Sequence, residues 1–189
     1  IQGLPTWYEL RVSERGWLGR RGGVDMVVAM NPQTWQADLE ELEPGGYLFY
    51  DSTRPLSEST LRTDIHAIGV PLTEICNTRW QEPRKRQLLK NVAYVGALAA
   101  LLDMERDILA TLVGEQFRSK PKLVEANLEA LQLGYDWVNE HLDAPVALRI
   151  RRCNEVGDRI FVDGNTAAGL GCVYGGATVC SWYPITPST

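Results

Sequence analysis

Histidine is almost missing from this chain, with only His66 and His141 among 189 residues, and neither has a carboxylate motif around it. Both read as ordinary surface or core histidines rather than metal ligands. The four cysteines, Cys76, Cys153, Cys172 and Cys180, stand 77, 19 and 8 residues apart, and no two form a C-x-x-C pair. That spacing excludes an iron–sulfur cluster or a structural zinc held by this chain alone, and no metal site is expected in it. Scattered cysteines without a secretory signal favour a reducing compartment, and the cytoplasm is the expected location. Ile1 to Val12 has neither the basic n-region nor the apolar h-region of a targeting peptide.

Three further lacks narrow the class. A long basic run is missing: the densest is Arg84-Lys85-Arg86, and the net charge is -5, which argues against a nucleic-acid partner. A membrane-length apolar run is missing too. The longest, Val92 to Leu102, is about 11 residues where a bilayer needs about 20. Nor is there a strand-adjacent G-x-G-x-x-G. The G-x-G at Gly169 to Gly171 lies inside an expected helix with Tyr174 in the third glycine's place, which weakens a reading as a nucleotide-binding α/β oxidoreductase.

What is present is organised around Gln87 to Leu102, QLLKNVAYVGALAALL, which predicts a buried helix. Gly96 sits there among small residues, where a neighbouring backbone can approach closely. Upstream, Trp7 to Val12 predicts a strand, with Trp17 and Leu18 as its partner across a polar turn. Val24 to Met30 predicts a buried central strand. Asn31 and Pro32 then suit a helix cap and first position, Thr34 to Leu42 a helix, and Pro44-Gly45-Gly46 its stop. Gly46 to Tyr50 and Asp64 to Gly69 predict two more strands, and Pro71 opens another helix. Glu105 to Phe117 and Lys120 to Leu142 predict amphipathic covering helices.

This alternation predicts an α/β fold with a parallel sheet covered by helices, and in such sheets ligands meet the carboxyl ends of the strands. Asn31 and the turn Asp51-Ser52-Thr53 would lie on that rim, either as functional groups or simply as caps and turns. Residues 144–158, with Pro145 and the arginines 149, 151 and 152, read as a linker. Beyond it, Ile160 to Val162, Thr166 to Tyr174 and Ala177 to Tyr183 predict a β-α-β unit.

Two groups of residues carry a resemblance. Asp163-Gly164-Asn165-Thr166-Ala167-Ala168, followed by a small-residue helix and Tyr183-Pro184-Ile185-Thr186-Pro187-Ser188, resembles the opening of the alpha subunit of 2-oxoacid:ferredoxin oxidoreductases. VDMVVAMNPQT, PGGYLFYDS, GVPLTEI, KNVAYVGALAALLD and KPKLVEANLEALQLGYD resemble the gamma domain of the same enzymes, which in some members is fused ahead of alpha. The resemblance implies a gamma-type domain over residues 1–143, lacking its first strand and Gly-rich loop, then the linker. Residues 159–189 would open a thiamine-pyrimidine-binding domain, ending before the glutamate that activates the aminopyrimidine, so no catalytic residue is expected here and the chain reads as an excerpt.

The family's chemistry sets the functional expectations. These enzymes decarboxylate a 2-oxoacid oxidatively to an acyl-CoA and reduce ferredoxin, or run the reverse carboxylation; the fused order makes 2-oxoglutarate the first substrate to expect. Thiamine diphosphate and magnesium would lie at the interface with a beta-type partner subunit, which carries the iron–sulfur cluster, and coenzyme A would be the cosubstrate. The implied assembly is a hetero-oligomer, active only with its partner. The alternative is a non-catalytic assembly or regulatory domain on the gamma fold. Tyr183, Pro184, Ile185 and Asn165 become cofactor-binding candidates, and Thr186 a ligand for the substrate carboxylate. Pro184 and Pro187 brace Thr186, since each fixes φ and restricts the residue before it; a hydroxyl so held either donates to an anion or serves a structural turn.

Overall fold

The computed structural model describes residues 6–17, 19–56, 62–144, 146–153 and 155–183. It divides into two compact units, Ile1–Arg151 and Arg152–Thr189. In the first, β1 (Val24–Ala29), β2 (Leu42–Asp51) and β3 (His66–Val70) form a parallel sheet in the order β1-β2-β3, with Val28 opposite Phe49 and Phe49 opposite Ile68. Successive side chains of a strand point to opposite faces. Phe49, Ile68 and Val70 accordingly enter one core with residues of the helices α2 (Leu72–Arg79), α3 (Pro83–Leu101) and α5 (Pro121–His141). Ala29 and Leu48 enter a second core with Leu39 of α1 (Trp35–Glu41). The sheet is thus covered on both faces, as parallel sheets require.

Two boundaries differ from expectation. Pro44-Gly45-Gly46 does not stop α1: the helix ends at Glu41 and β2 begins at once with Leu42. Val24 pairs with Leu42 and Met26 with Tyr47, so residues 43–46 bulge opposite the single Asp25. Gly45 takes a φ of 78° there, and a bulge is where a strand tolerates proline. Trp7 to Val12 is not a strand either. The two legs around the Ser13–Gly16 turn are tied by side chains, Glu9 to Arg20 at 2.7 Å and Arg11 to the Gly19 carbonyl.

α3 is the central helix, with Leu89, Ala93, Tyr94, Gly96, Ala97, Ala99 and Leu101 buried. The close approach expected at Gly96 is present: a Cβ there would overlap the Leu131 carbonyl of α5, and one at Gly134 of α5 would overlap the Ala93 carbonyl of α3. α4 (Arg106–Gln116) lies between them in sequence and buries no residue fully. α3 ends in paired turns, with Asp103 N–H bonded to the Ala100 carbonyl at 3.3 Å and Met104 N–H to that of Ala99 at 2.8 Å. Asp103 takes a φ of 53° to make them.

The stretch read as a linker packs on the first unit as far as Arg151. Val146 is buried in the core, Ala147 N–H donates to the Tyr47 hydroxyl at 3.0 Å, and Ile150 N–H to the Leu102 carbonyl at 2.9 Å. Arg151 reaches Asp103 at 3.6 Å. The overlooked signal is the alternation of Val146, Leu148 and Ile150 with Ala147, Arg149 and Arg151, the two-residue period of a chain with one face buried.

The second unit contains α6 (Gly164–Tyr174), capped by Asp163, whose carboxylate accepts from Thr166 N–H at 2.9 Å and from the Thr166 hydroxyl at 2.6 Å. Ile160 to Val162 and Ala177 to Tyr183 form no ladder among the described residues. A strand exists only with a partner to pair, and the described residues of this unit are exposed, so the β-α-β expectation is met by its helix alone. No helix among the described residues is long and apolar enough to cross a membrane.

Candidate functional site

The carboxyl ends of the three strands gather the polar groups of the first unit. Past β1, Asn31 makes a turn: its Oδ1 accepts from Gln33 N–H at 3.1 Å, and its carbonyl accepts from Thr34 N–H at 3.1 Å and the Thr34 hydroxyl at 3.0 Å. The helix cap is therefore Thr34, three residues later than expected. Asn31 itself is exposed. By register Ala29 stands opposite Tyr50, so Asn31 and Ser52 are both two residues past paired positions on neighbouring strands.

At the end of β2 the side chain of Asp51 is 14% exposed and meets the start of α2. Pro71, the cap of α2, offers no side-chain acceptor. Asp51 supplies one instead, accepting from Thr73 N–H at 3.1 Å and from the Thr73 hydroxyl, and also from Thr53 N–H at 3.2 Å. Thr53 adds its own hydroxyl as acceptor for Glu74 N–H at 3.1 Å. Two first-turn N–H groups of α2, those of Thr73 and Glu74, are thus satisfied from the end of the neighbouring strand, with negative charge at the positive end of the helix.

Lys90 of α3 completes the cluster, 3.5 Å from the Asp51 carboxylate and donating to the Thr73 hydroxyl at 3.1 Å. Burial pushes the Asp51 pKa up, but the hydrogen bonds from Thr73 and Thr53 outweigh it and leave the group below the ordinary carboxylate range. Asp51 therefore stays ionised as an organiser of the rim. Nearby, burial pushes the Cys76 thiol up to about 11, with Lys90 opposing and Asp51 adding, and burial likewise raises the Tyr94 phenol. Ser52 is half-buried and its hydroxyl makes no hydrogen bond among the described residues. Gly69 makes room for it, since a Cβ there would meet the Ser52 Cβ at 2.7 Å and the Tyr50 hydroxyl at 3.1 Å.

Within the expected Asp51 to Thr53 turn, Asp51 and Thr53 are tied to the start of α2, and Thr73 and Lys90 join them on the Asp51 carboxylate. Thr73 and Lys90 were missed. A threonine two residues past Pro71 is the signal that points to the first of them.

In the second unit Asn165 stands in the first turn of α6, exposed, its carboxamide without a hydrogen bond among the described residues. Tyr183 is 77% exposed. Pro184, Ile185 and Thr186 lie outside the described residues. Among the described residues no three His, Cys, Asp or Glu side chains are grouped to hold a metal ion.

The fold of this chain is shared with a solved protein. The chain belongs to the pyruvate ferredoxin/flavodoxin oxidoreductase family, whose domain model matches residues 1–137. It superposes with a TM-score of 0.74 and 25% identity on a 2-oxoglutarate:ferredoxin oxidoreductase from Magnetococcus marinus, solved with 2-oxoglutarate, coenzyme A and succinyl-CoA bound, over 88% of this chain and 29% of that one. It is 26% identical over 227 aligned positions to subunit alpha of a 2-oxoacid:ferredoxin oxidoreductase of Aeropyrum pernix, covering 100% of this chain and 35% of the relative. To the 2-oxoglutarate oxidoreductase subunit KorA of Mycobacterium tuberculosis it is 24% identical, over 96% of this chain and 31% of that protein. The ketoisovalerate oxidoreductase subunit VorA of Methanothermobacter marburgensis is 25% identical over 63% of this chain. The chain spans about a third of the length of the first two of these named relatives.

Proposed function

We propose that this chain is part of a thiamine diphosphate-dependent 2-oxoacid:ferredoxin oxidoreductase, in the cytoplasm, that converts a 2-oxoacid and coenzyme A to an acyl-CoA with reduction of ferredoxin, or runs the reverse carboxylation. 2-Oxoglutarate is the first substrate to test. The observation that carries the reading is the alignment of the whole chain, both units together, with an alpha subunit of such an enzyme.

Thiamine diphosphate, with its magnesium, would supply the carbon nucleophile and electron sink for decarboxylation, held between this protein and a beta-type partner that would also carry the iron–sulfur cluster. The contribution of this chain is to bind and orient. Asp163 fixes the start of α6, and the Asn165 carboxamide in that first turn, without a hydrogen bond among the described residues, would be a ligand contact. Tyr183, Pro184 and Ile185 would line the same cofactor, and Thr186 would donate to the carboxylate of the substrate. Asn31, Ser52 and Thr53 would form a rim on the first unit, where Asp51 holds the turn through Thr53 and Thr73 and the Ser52 hydroxyl makes no hydrogen bond among the described residues.

The test is to express the full-length protein with its partner subunit and assay coenzyme A-dependent ferredoxin reduction with 2-oxoglutarate, pyruvate and 2-oxoisovalerate. Turnover of at least one, strictly dependent on thiamine diphosphate and on the partner, is the expected result. A stable complex that turns over none of them overturns the reading and favours a non-catalytic assembly role.

A further inference from the structure

α4 is held to the protein by less than either helix beside it in sequence. Seven residues of α3 and six of α5 are buried and none of α4 is, so α4 leans on the core without being locked into it. It touches both helices. Yet Ile108, Leu109, Val113 and Phe117 are only half-buried, and Leu112 is 54% exposed. Among the described residues one side-chain hydrogen bond ties α4 to α5, from Arg106 to the Gln132 carboxamide oxygen at 2.7 Å.

Nor is α4 strong as a helix in its own right. Its 11 residues are marginal in water without packing. Glu105 at its cap makes no side-chain bond to the first turn, and Glu115 puts negative charge in the last turn, where the helix end is already negative. Gly114 has nothing within 4 Å of where a Cβ would stand. Unlike Gly96 and Gly134, it has no close approach to set against its poor helix propensity.

Both neighbours are closed without it. α3 ends on the bonds that Asp103 and Met104 return to Ala100 and Ala99. α5 starts on Pro121, which has no N–H to satisfy, with Leu123 N–H on the Lys120 carbonyl at 2.8 Å. The links on either side of α4 are turns: Asp103 with its φ of 53°, and Lys120 N–H on the Phe117 carbonyl at 2.7 Å. Segments with few buried contacts are the ones that open first in a folded protein.

We propose that α4 is a hinged strap. It opens as one unit about Asp103 and the turn at 117–120 while the sheet, α3 and α5 stay closed, which gives the protein a second, sparsely populated conformation with the Gln132 flank of α5 bare. Leu128 and Tyr135 lie about one turn from Gln132 on either side, so the open form presents apolar groups around a freed carboxamide oxygen.

Native-state hydrogen exchange on the full-length wild-type protein tests this and needs no variant to fold. After correction for intrinsic rates, amides 110–116 should exchange at one common rate, at least about a hundredfold faster than those of 93–101 and 126–138. That rate should rise little with sub-denaturing urea, because a local opening exposes little surface. Rates graded from the helix ends inward describe fraying and overturn the proposal. Protection equal to that of α3 and α5, or the same urea dependence, also overturns it, since α4 then opens only with the whole protein. Gly114→Ala should slow the exchange of α4 about fourfold; exchange that does not slow overturns the strap as well, because helix formation is then not what closes it.

Discussion

Gly134 of α5 lies directly against the main-chain carbonyl of Ala93 in α3, with the Ala97 nitrogen 2.9 Å from where a Cβ would stand. The reciprocal contact, Gly96 against the Leu131 carbonyl, repeats it one turn along. The two helices thus meet backbone to backbone, and a single methyl has nowhere to go but into a carbonyl oxygen. Gly134→Ala is expected to destabilise the protein by roughly 1 to 3 kcal/mol or more, despite the better helix propensity of alanine. Urea denaturation of the full-length protein measures it, and a neutral or stabilising result would mean that the helices part easily.

Asp51 ties stability to acid. Its folded-state pKa lies below the unfolded value, so the stabilisation it gives is fully present above about pH 4 and is lost as pH falls through the folded pKa. Asp51→Asn removes the ionised cap of α2 and the partner of Lys90, and should cost about 1 kcal/mol at pH 7. Melting curves from pH 7 to pH 2 should show wild type and variant converging at the acid end. A gap that stays constant over that range contradicts the assignment.

Asp103 holds a left-handed backbone at the end of α3, where glycine is unstrained. Its pairs with Arg149 at 3.9 Å and Arg151 at 3.6 Å are exposed and contribute at most about 1 kcal/mol. Asp103→Gly should therefore leave stability nearly unchanged, and Asp103→Val should lie about 1 to 2 kcal/mol below it. Equal stabilities for the two variants would show that the turn does not need its positive φ.

Thr186→Val tests the proposed substrate contact. A hydrogen bond to a charged group is worth roughly 1.5 to 3 kcal/mol, so kcat/KM for the 2-oxoacid should drop by about ten to a few hundredfold in the assembled enzyme. Activity within about twofold of wild type, with assembly and thiamine content intact, would make Thr186 a turn residue. A fall that merely follows lost thiamine or lost partner would also remove the carboxylate role.

The parallel sheet and its covering helices were legible because their signals are local. Val24–Ala29 is β-branched and apolar, and the 121–141 helix repeats its apolar side chains at helical spacing. Gly96 announced a close approach because mid-helix glycine has a cost that needs a reason. What failed to show was non-local. Nothing in Pro44-Gly45-Gly46 distinguishes a bulge within a strand from a turn after a helix until Tyr47 is seen opposite Met26. The site was legible in part for the same reason. Asp51, Ser52 and Thr53 are marked by their place after a strand, whereas Thr73 and Lys90 join them only through a fold that brings residues 22 and 39 positions away onto the Asp51 carboxylate.

The hydrogen bond from Ala147 to Tyr47 spans 100 residues and sets an order on biosynthesis. At about 5 to 20 residues per second, the ribosome needs roughly 5 to 20 seconds between placing the two partners. During that interval the sheet and α3 have emerged while the groove that receives Val146 stands open, and a nascent chain in that state exposes apolar surface to chaperones and to neighbouring copies. The closing segment arrives only as translation enters the second unit, so truncation before Val146 should yield a protein that is made but aggregates, whereas stopping after Arg151 should not.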